Sequence, residues 1–426
     1  MQNRRKFLGS LIGIGSAMSL QGMAKEGLAQ DIKDSILSLH QLNVEDAVKQ
    51  EYLWKRVQRA YAKSSILNLN NGGVSPQPFV VQEAEARYKE IINEAPSYYM
   101  WRVYAKEREG IRRALARLAG CLTDEIAITR NTTESINTVM LGLDWKKGDE
   151  VILTRQDYST VKIGWEQLAK RKKVKLIWVD LPLPIEDEDE IVKLYTEQFS
   201  KRTKAINITQ IINWTGQILP VSAIRKICDA AREKGIFTIV DGAHALAQIN
   251  FRVSDLGCDA FASSLHKWLC APFGTGILYI KKDRIKDVWP QYPSKDPEGD
   301  NIRKFEHLGT VPLSAILAIS QAIHFHNDIG IELKESRLRY LKDYWCNALK
   351  DKVQLHTSMK PEYACAIGLF SVEGVSTSKI LEYLTKNRIH ATNSTVVDLK
   401  GVRISPNVYT TIAELDRMLD VVKEVL

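Results

Sequence analysis

The chain has 426 residues, 45% of them hydrophobic and 26% charged, proportions that belong to a globular protein and exclude a disordered or fibrous one. Its formal charge is +8, but Arg4, Arg5, Lys6 and Lys25 against Glu26 place +3 of that in the first 29 residues. The remainder, about +5, is too modest and too dispersed to serve a nucleic-acid surface.

The amino terminus, "MQNRRKFLGSLIGIGSAMSLQGMAKEGLAQD", has a charged head, an apolar stretch from Phe7 to about Leu20, and small residues at Met23-Ala24 and Leu28-Ala29. That is the three-part layout of a secretory signal, and the apolar stretch is short for a membrane span. Arg4-Arg5 before Phe7-Leu8 resembles a twin-arginine signal, which implies an export-machinery partner and cargo that folds in the cytoplasm before crossing. Residues 1–29 are therefore expected to be a leader, cleaved after Ala24 or Ala29, and the mature protein to be periplasmic or otherwise exported. A plain membrane anchor or an internal helix is the competing reading.

Helical periodicity follows over about 41–63, then the turn-rich loop "LNLNNGGVSPQP" at 67–78. Helices are expected near 80–94 and 104–119. After them short apolar strands alternate with amphipathic helices: strands at 150–154, 174–180, 204–209, 236–240 and 259–263, and helices near 132–142, 160–171 and 221–234. The basic run "KRKKVK" at 170–175 reads as a solvated helix end leading into a strand. Such alternation predicts an α/β protein with a mainly parallel sheet covered on both faces. Near 310 the pattern changes to two long helices, 312–328 and 331–349, and a smaller α+β unit closes the chain. The expected organisation is an N-terminal helix and loop at 30–75, a large domain at 76–310 and a small domain at 311–426. The six cysteines (121, 228, 258, 270, 346, 365) show no C-x-x-C pair and sit in apolar patterns, so they read as buried free thiols, and no metal site is expected.

In parallel α/β sheets ligands collect at the carboxyl ends of strands. This chain places unusual polar residues there: Asp241 with Gly242, Ala243 and His244; Thr209, Gln210 and Asn213; Arg130-Asn131 opening into Thr132-Thr133-Glu134; and Ser264, His266 and Lys267. Each alone has an ordinary use. Asp241 could cap a turn, the threonines could be only a helix N-cap, and S-x-H-K is weak on its own. Together they supply what pyridoxal phosphate needs: an amine for the Schiff base, a carboxylate for the pyridinium nitrogen, and hydroxyls with a helix N-terminus for the phosphate.

The stretches "TRNTTESIN", "NWTGQILPV", "VDGAHALAQ", "SSLHKWLCAPFGTGILYI" and "EHLGTVPLSA", in that order, resemble class V aminotransferases of fold-type I, and within them the isopenicillin N epimerase-like branch. The resemblance covers nearly all the chain after residue 65. It implies a fold-type I architecture, a large domain with a mainly parallel seven-stranded sheet plus a small α+β C-terminal domain, and pyridoxal 5'-phosphate as cofactor. It implies Lys267 as the Schiff-base lysine and Asp241 as the partner of the pyridine nitrogen, with Ala243 beneath the ring and His244 near it, where many relatives have Gln. Thr132, Thr133, Ser264 and His266 are implied at the phosphate, and Asn213 at the ring's phenolic oxygen. Gly309-Thr310 matches a segment that reaches the phosphate from a second subunit, so a homodimer with shared sites is implied. Arg403, with Asn71 beside it, is implied at the carboxylate of a small amino-acid-like substrate, a task that suits a guanidinium fork.

Two positions depart from the pattern. Where relatives stack His on the ring, this chain reads "RQDYST", leaving Tyr158 and Asp157 as alternatives, and Gln210 stands where relatives often have His. The segment "RIHATNSTVVDLKGVR" holds no cysteine, which disfavours a desulfurase-type reaction by a loop nucleophile. Epimerase, racemase or lyase chemistry is expected, with transamination as the alternative; a non-catalytic exported pyridoxal-phosphate-binding protein is the reading from another class.

Overall fold

The computed structural model describes residues 27–396 and 399–426. All but the last three residues of the expected leader lie outside the described residues. The chain first lays down a two-residue strand, β1 (Leu67–Asn68), and then the seven strands of the main sheet: β2 (Ile126–Thr129), β3 (Glu150–Thr154), β4 (Lys175–Val179), β5 (Thr203–Thr209), β6 (Phe237–Asp241), β7 (Ala260–Ser264) and β8 (Gly276–Ile280). Their spatial order is β2-β8-β7-β6-β5-β3-β4. β8 runs antiparallel to both its neighbours, and every other pair is parallel. The expected fold class is the one observed.

Alternation along each strand sends side chains to two separate cores. Ile128, Ile152, Ile206, Ile208, Val240 and Phe261 pack on one face; Ala127, Val151, Leu153, Phe237, Ile239 and Ala262 pack on the other. The helix Val221–Glu233 covers the first face with Ala223, Ile224, Ile227, Cys228 and Ala231, the three- and four-residue spacing of a single stripe. Each buried isoleucine there stabilises by roughly 1.5–3 kcal/mol. The helices Thr132–Gly142 and Ser159–Lys172 cover the second face.

The expected helix over 41–63 is two pieces, Val44–Ala47 and Glu51–Gln58, preceded by a helix at 27–40. Asn43 interrupts by capping the short piece, its Oδ1 accepting from the Asp46 amide at 2.9 Å. The two long helices also part company. Leu313–Ile329 packs on Phe79–Glu94 and Glu107–Ala119 over the main sheet, whereas Ile331–Leu349 carries Leu341, Trp345 and Leu349 into the small core. The break between them is Gly330, at φ +79°. The small unit is an antiparallel sheet of β9 (Gln354–Leu355), β10 (Gly368–Ser371), β12 (Thr392–Val396) and β13 (Leu399–Ile404) in the order β12-β13-β10-β9. The remaining strand, β11 (Ile389–His390), pairs in parallel with β1, and Asn70 bridges to Ser405. The loop at 67–78 is thereby fastened to the small unit.

Candidate functional site

The carboxyl ends of β5, β6 and β7 open into a cavity of about 350 Å³ whose far wall comes from the loop at 72–74 and from Arg403 on β13. Asp241 is the last residue of β6 and is 3% exposed. One carboxylate oxygen accepts the Ala243 amide at 2.9 Å. Gly242 follows because a Cβ there would lie 2.0 Å from the Phe261 ring, and the turn that presents Asp241 depends on that close approach. Burial pushes the Asp241 carboxyl up to about 6, against the pull of the Ala243 amide and the Lys267 charge, with Asp157 adding to the rise.

Lys267 sits in the turn after β7, its Nζ 3.1 Å from His244 Nε2. Burial brings its ammonium down to about 8; Asp241 resists that shift and Arg403 reinforces it. His244 is 3% exposed, and burial first, then the Lys267 and Arg403 charges, hold its imidazole neutral, well below the ordinary range. Its Nδ1 accepts the Trp268 indole N–H at 3.3 Å.

The helix Thr132–Gly142 points its N-terminus into the same cavity. Asn131 caps it through the Glu134 amide at 2.8 Å. Gly276 at the start of β8 lets that cap approach, since a Cβ there would meet the Asn131 backbone at 2.7 Å. Ser264 closes the corner: its Oγ accepts the Thr132 amide at 3.0 Å and lies 2.8 Å from Thr132 Oγ1. Thr133 and His266 complete this wall, with His266 Nδ1 3.2 Å from the Thr275 carbonyl oxygen. The positive dipole end of the helix and the hydroxyl-bearing side chains of Thr132, Thr133 and Ser264 form an anion cradle.

Arg403 is 7% exposed and keeps its charge, although burial lowers its guanidinium to about 10. Nη1 donates to the Asn213 carbonyl at 2.8 Å and Nη2 to Asn70 Oδ1 at 2.6 Å, while Nε has no partner. No carboxylate among the described residues pairs with it. A buried cation in that condition is costly unless an anion arrives from the cavity. Asn213 lines the same wall, its Oδ1 buried without a partner.

The cavity brings together Thr132, Thr133, Tyr158, Asn213, Asp241, Ala243, His244, Ser264, His266, Lys267 and Arg403. Of the two alternatives after β3, Tyr158 is the one on the wall. Asp157 is fully buried in the sheet, accepting from Thr154 N and Oγ1, Asn207 Nδ2 and Thr209 Oγ1. Asn71 does not line the cavity, contrary to expectation. Its amide is spent within the loop, donating to the Asn68 and Ser405 carbonyls and accepting from Asn68 and Tyr409. The residue that reaches Arg403 is its neighbour Asn70, and nothing in "LNNGG" marks which asparagine faces in. Thr310 is exposed and not on this wall. Gly72 and Gly73, unassigned from sequence, line the cavity beside Arg403; a Cβ on Gly72 would already touch the guanidinium carbon at 3.4 Å.

The donor set fits pyridoxal 5'-phosphate: an anion cradle, a buried carboxylate able to ion-pair with a protonated ring nitrogen, an amine of lowered basicity, and an orphaned carboxamide on the wall.

The aminotransferase class-V family model matches residues 67–418. The isopenicillin N epimerase of Streptomyces clavuligerus is 28% identical over 388 residues, which is 86% of this chain and 97% of that protein. A probable cysteine desulfurase of Halalkalibacterium halodurans is 30% identical over 291 residues, 64% of this chain and 67% of that protein. Among solved structures, the cysteine desulfurase of Thermococcus onnurineus NA1 superposes with a TM-score of 0.72 at 22% identity, covering 84% of this chain and 94% of that one. The cystine C–S lyase C-DES, in complex with its product cysteine persulfide, gives 0.74 at 21% identity over 84% and 97%. At those identities the structural likeness speaks for the fold.

Proposed function

We propose that this chain, which belongs to the aminotransferase class-V family, is a pyridoxal-phosphate enzyme that removes a proton from Cα of an amino acid or amino-acid-derived amine and returns it in epimerase fashion or expels a β-group as a lyase. Pyridoxal 5'-phosphate is the cofactor, and when bound it supplies an electron sink for the charge left at Cα. The observation that carries the reading is Arg403: a buried, carboxylate-free guanidinium sharing one cavity with a lysine whose amine is substantially neutral near pH 8. Arg403 would hold the substrate carboxylate and fix Cα, while Lys267 would accept the proton at Nζ.

The other residues take supporting roles in this reading. Thr132, Thr133, Ser264 and His266 would bind phosphate, Asp241 the ring nitrogen, and Asn213 the phenolic oxygen. Ala243 would lie under the ring and Tyr158 stack on it, with its hydroxyl free for a second proton contact. Thr310, exposed on its own subunit, would reach the phosphate of a partner subunit, so a homodimer belongs to the proposal, as does export through a twin-arginine leader.

Epimerase-type chemistry draws support from the two isopenicillin N epimerases, of Streptomyces clavuligerus and Amycolatopsis lactamdurans, each matched over at least 95% of its length. Desulfurase-type relatives are also matched, but no cysteine lines the cavity among the described residues. The deciding experiment incubates the loaded enzyme with a panel of L-amino acids in D2O. Deuterium at Cα without keto acid supports an epimerase, pyruvate-type products with a released β-group a lyase; stoichiometric keto acid would make it an aminotransferase. A chain that shows no bound-cofactor absorption after addition of pyridoxal phosphate would overturn the enzyme reading.

A further inference from the structure

Trp268 follows Lys267 directly, is fully buried, and turns its indole N–H onto His244 Nδ1 at 3.3 Å. An indole nitrogen can only donate, so Nδ1 must accept. A neutral imidazole then carries its single proton on Nε2, and Nε2 is the nitrogen 3.1 Å from Lys267 Nζ. An ammonium has three hydrogens and no lone pair; only a neutral amine can accept from Nε2–H. The contact is therefore a hydrogen bond when Lys267 is an amine and a clash of donors when it is an ammonium.

We propose that Trp268 is a positioning residue that holds His244 in its Nε2–H tautomer and so presents a hydrogen-bond donor, not an acceptor, to the Lys267 amine. The arrangement is braced from behind. The Trp268 carbonyl accepts from Lys334 Nζ, itself 3% exposed and also 3.4 Å from His326 Nδ1, a contact reached from the helices on either side of Gly330. The other charged groups acting on the pair are Asp241 on β6, which favours the ammonium, and Arg403 on β13, which opposes it. The tautomer lock adds to Arg403 and is independent of burial. Gln at 244 could do the same work, its carboxamide oxygen accepting from Trp268 and its NH2 donating to Lys267, whereas Leu could do neither.

The inference rests on Lys267 acting as the base, yet its first test needs no turnover. Long-range 1H–15N spectra of the full-length chain without added cofactor read the His244 tautomer directly. The expected result is Nε2–H in the wild type and loss of that pattern in Trp268→Phe. The second readout is the Lys267 pKa, followed by pH-dependent amine labelling: it should rise by about one unit in Trp268→Phe and in His244→Leu, a tenfold loss of free amine near neutral pH. It should stay near the wild-type value in His244→Gln. A wild-type Nδ1–H tautomer overturns the proposal even if no variant folds. An unchanged Lys267 pKa in a folded Trp268→Phe also overturns it, while leaving the assignment of Lys267 as base intact.

Discussion

Arg403 and Asn70 are joined by a 2.6 Å hydrogen bond that ties β13 of the small unit to the loop entering the large one. The same guanidinium donates to the Asn213 carbonyl beyond β5, so three distant segments converge on one side chain. That geometry leaves Arg403 little freedom to follow a misplaced substrate.

Asn70→Ala removes an oriented acceptor of a charged donor, an interaction of about 1.5–3 kcal/mol. The expected outcome is a KM raised roughly tenfold to a hundredfold with kcat changed far less, because the lost contact positions the carboxylate and not the reacting bond. Arg403→Lys should do the same more severely, since an ammonium cannot reproduce the fork. Asn71→Ala, by contrast, should act through stability, read as a lower Tm with KM unchanged. Steady-state kinetics on the three variants separates these roles, and a KM effect confined to Asn71→Ala would reverse the assignment.

Ser264 is the contact between β7 and the helix Thr132–Gly142. Its Oγ takes the Thr132 amide at 3.0 Å, and replacing it with Ala leaves that N–H to the cavity. Losing one such hydrogen bond costs about 1 kcal/mol, so a modest Tm decrease is expected. Cofactor affinity should fall by roughly tenfold, measured by fluorescence quenching on titration with pyridoxal phosphate; the unphosphorylated pyridoxal should bind Ser264→Ala and wild type equally. Equal losses for both ligands would place the phosphate elsewhere.

The cysteines give an independent check on the reaction class. Burial pushes the thiols of Cys121, Cys228, Cys346 and Cys365 up to about 12, leaving almost no thiolate at neutral pH. Iodoacetamide at pH 7.5 should therefore leave turnover untouched. Inactivation that substrate protects against would bring back a cysteine nucleophile.

The strands of the main sheet were legible because fully buried strands must be continuous Val/Ile runs, and their ends because polar residues stand out against them. "IFTIVDGAH" announces both. The helix Glu188–Thr196 is hidden for the opposite reason: its acidic first turn, Glu188, Asp189 and Glu190, masks a buried side made of only Ile191 and Tyr195. Packing, not periodicity, decides that Leu313–Ile329 lies over the large sheet while Ile331–Leu349 carries Leu341, Trp345 and Leu349 into the small core. The choice between Asn70 and Asn71 turns on a one-residue register set by the Asn70–Ser405 bridge, a long-range pairing that no local pattern encodes. The partner of Nδ1 on His244 was likewise invisible, although Trp268 stands next to Lys267 in its quoted motif.

Asp241 predicts a conflict between stability and function. Its carboxyl titrates near 6 in the folded chain against an ordinary value of 3.8. Between those values the folded state holds a proton that the unfolded state has lost, so stability contributed by this group is complete below about 3.8 and is lost as pH rises through 6. Lys267 has the opposite slope: its folded value of about 8 lies below 10.5, and the folded state regains stability as pH rises between the two. At pH 7.5 without cofactor, Asp241→Asn should therefore be more stable than wild type, by on the order of 1–2 kcal/mol, because the Asn oxygen can still accept the Ala243 amide while the buried charge is gone. The gain should vanish near pH 4, where wild type is itself protonated. With cofactor added the order should reverse, since only an ionised Asp241 can hold a protonated ring nitrogen, and turnover should fall by orders of magnitude. Thermal melts of both proteins at pH 4 and 7.5, with and without pyridoxal phosphate, make the comparison; a destabilised Asp241→Asn in the cofactor-free state at pH 7.5 would show that the carboxylate has a structural partner and is not held in reserve for the ring.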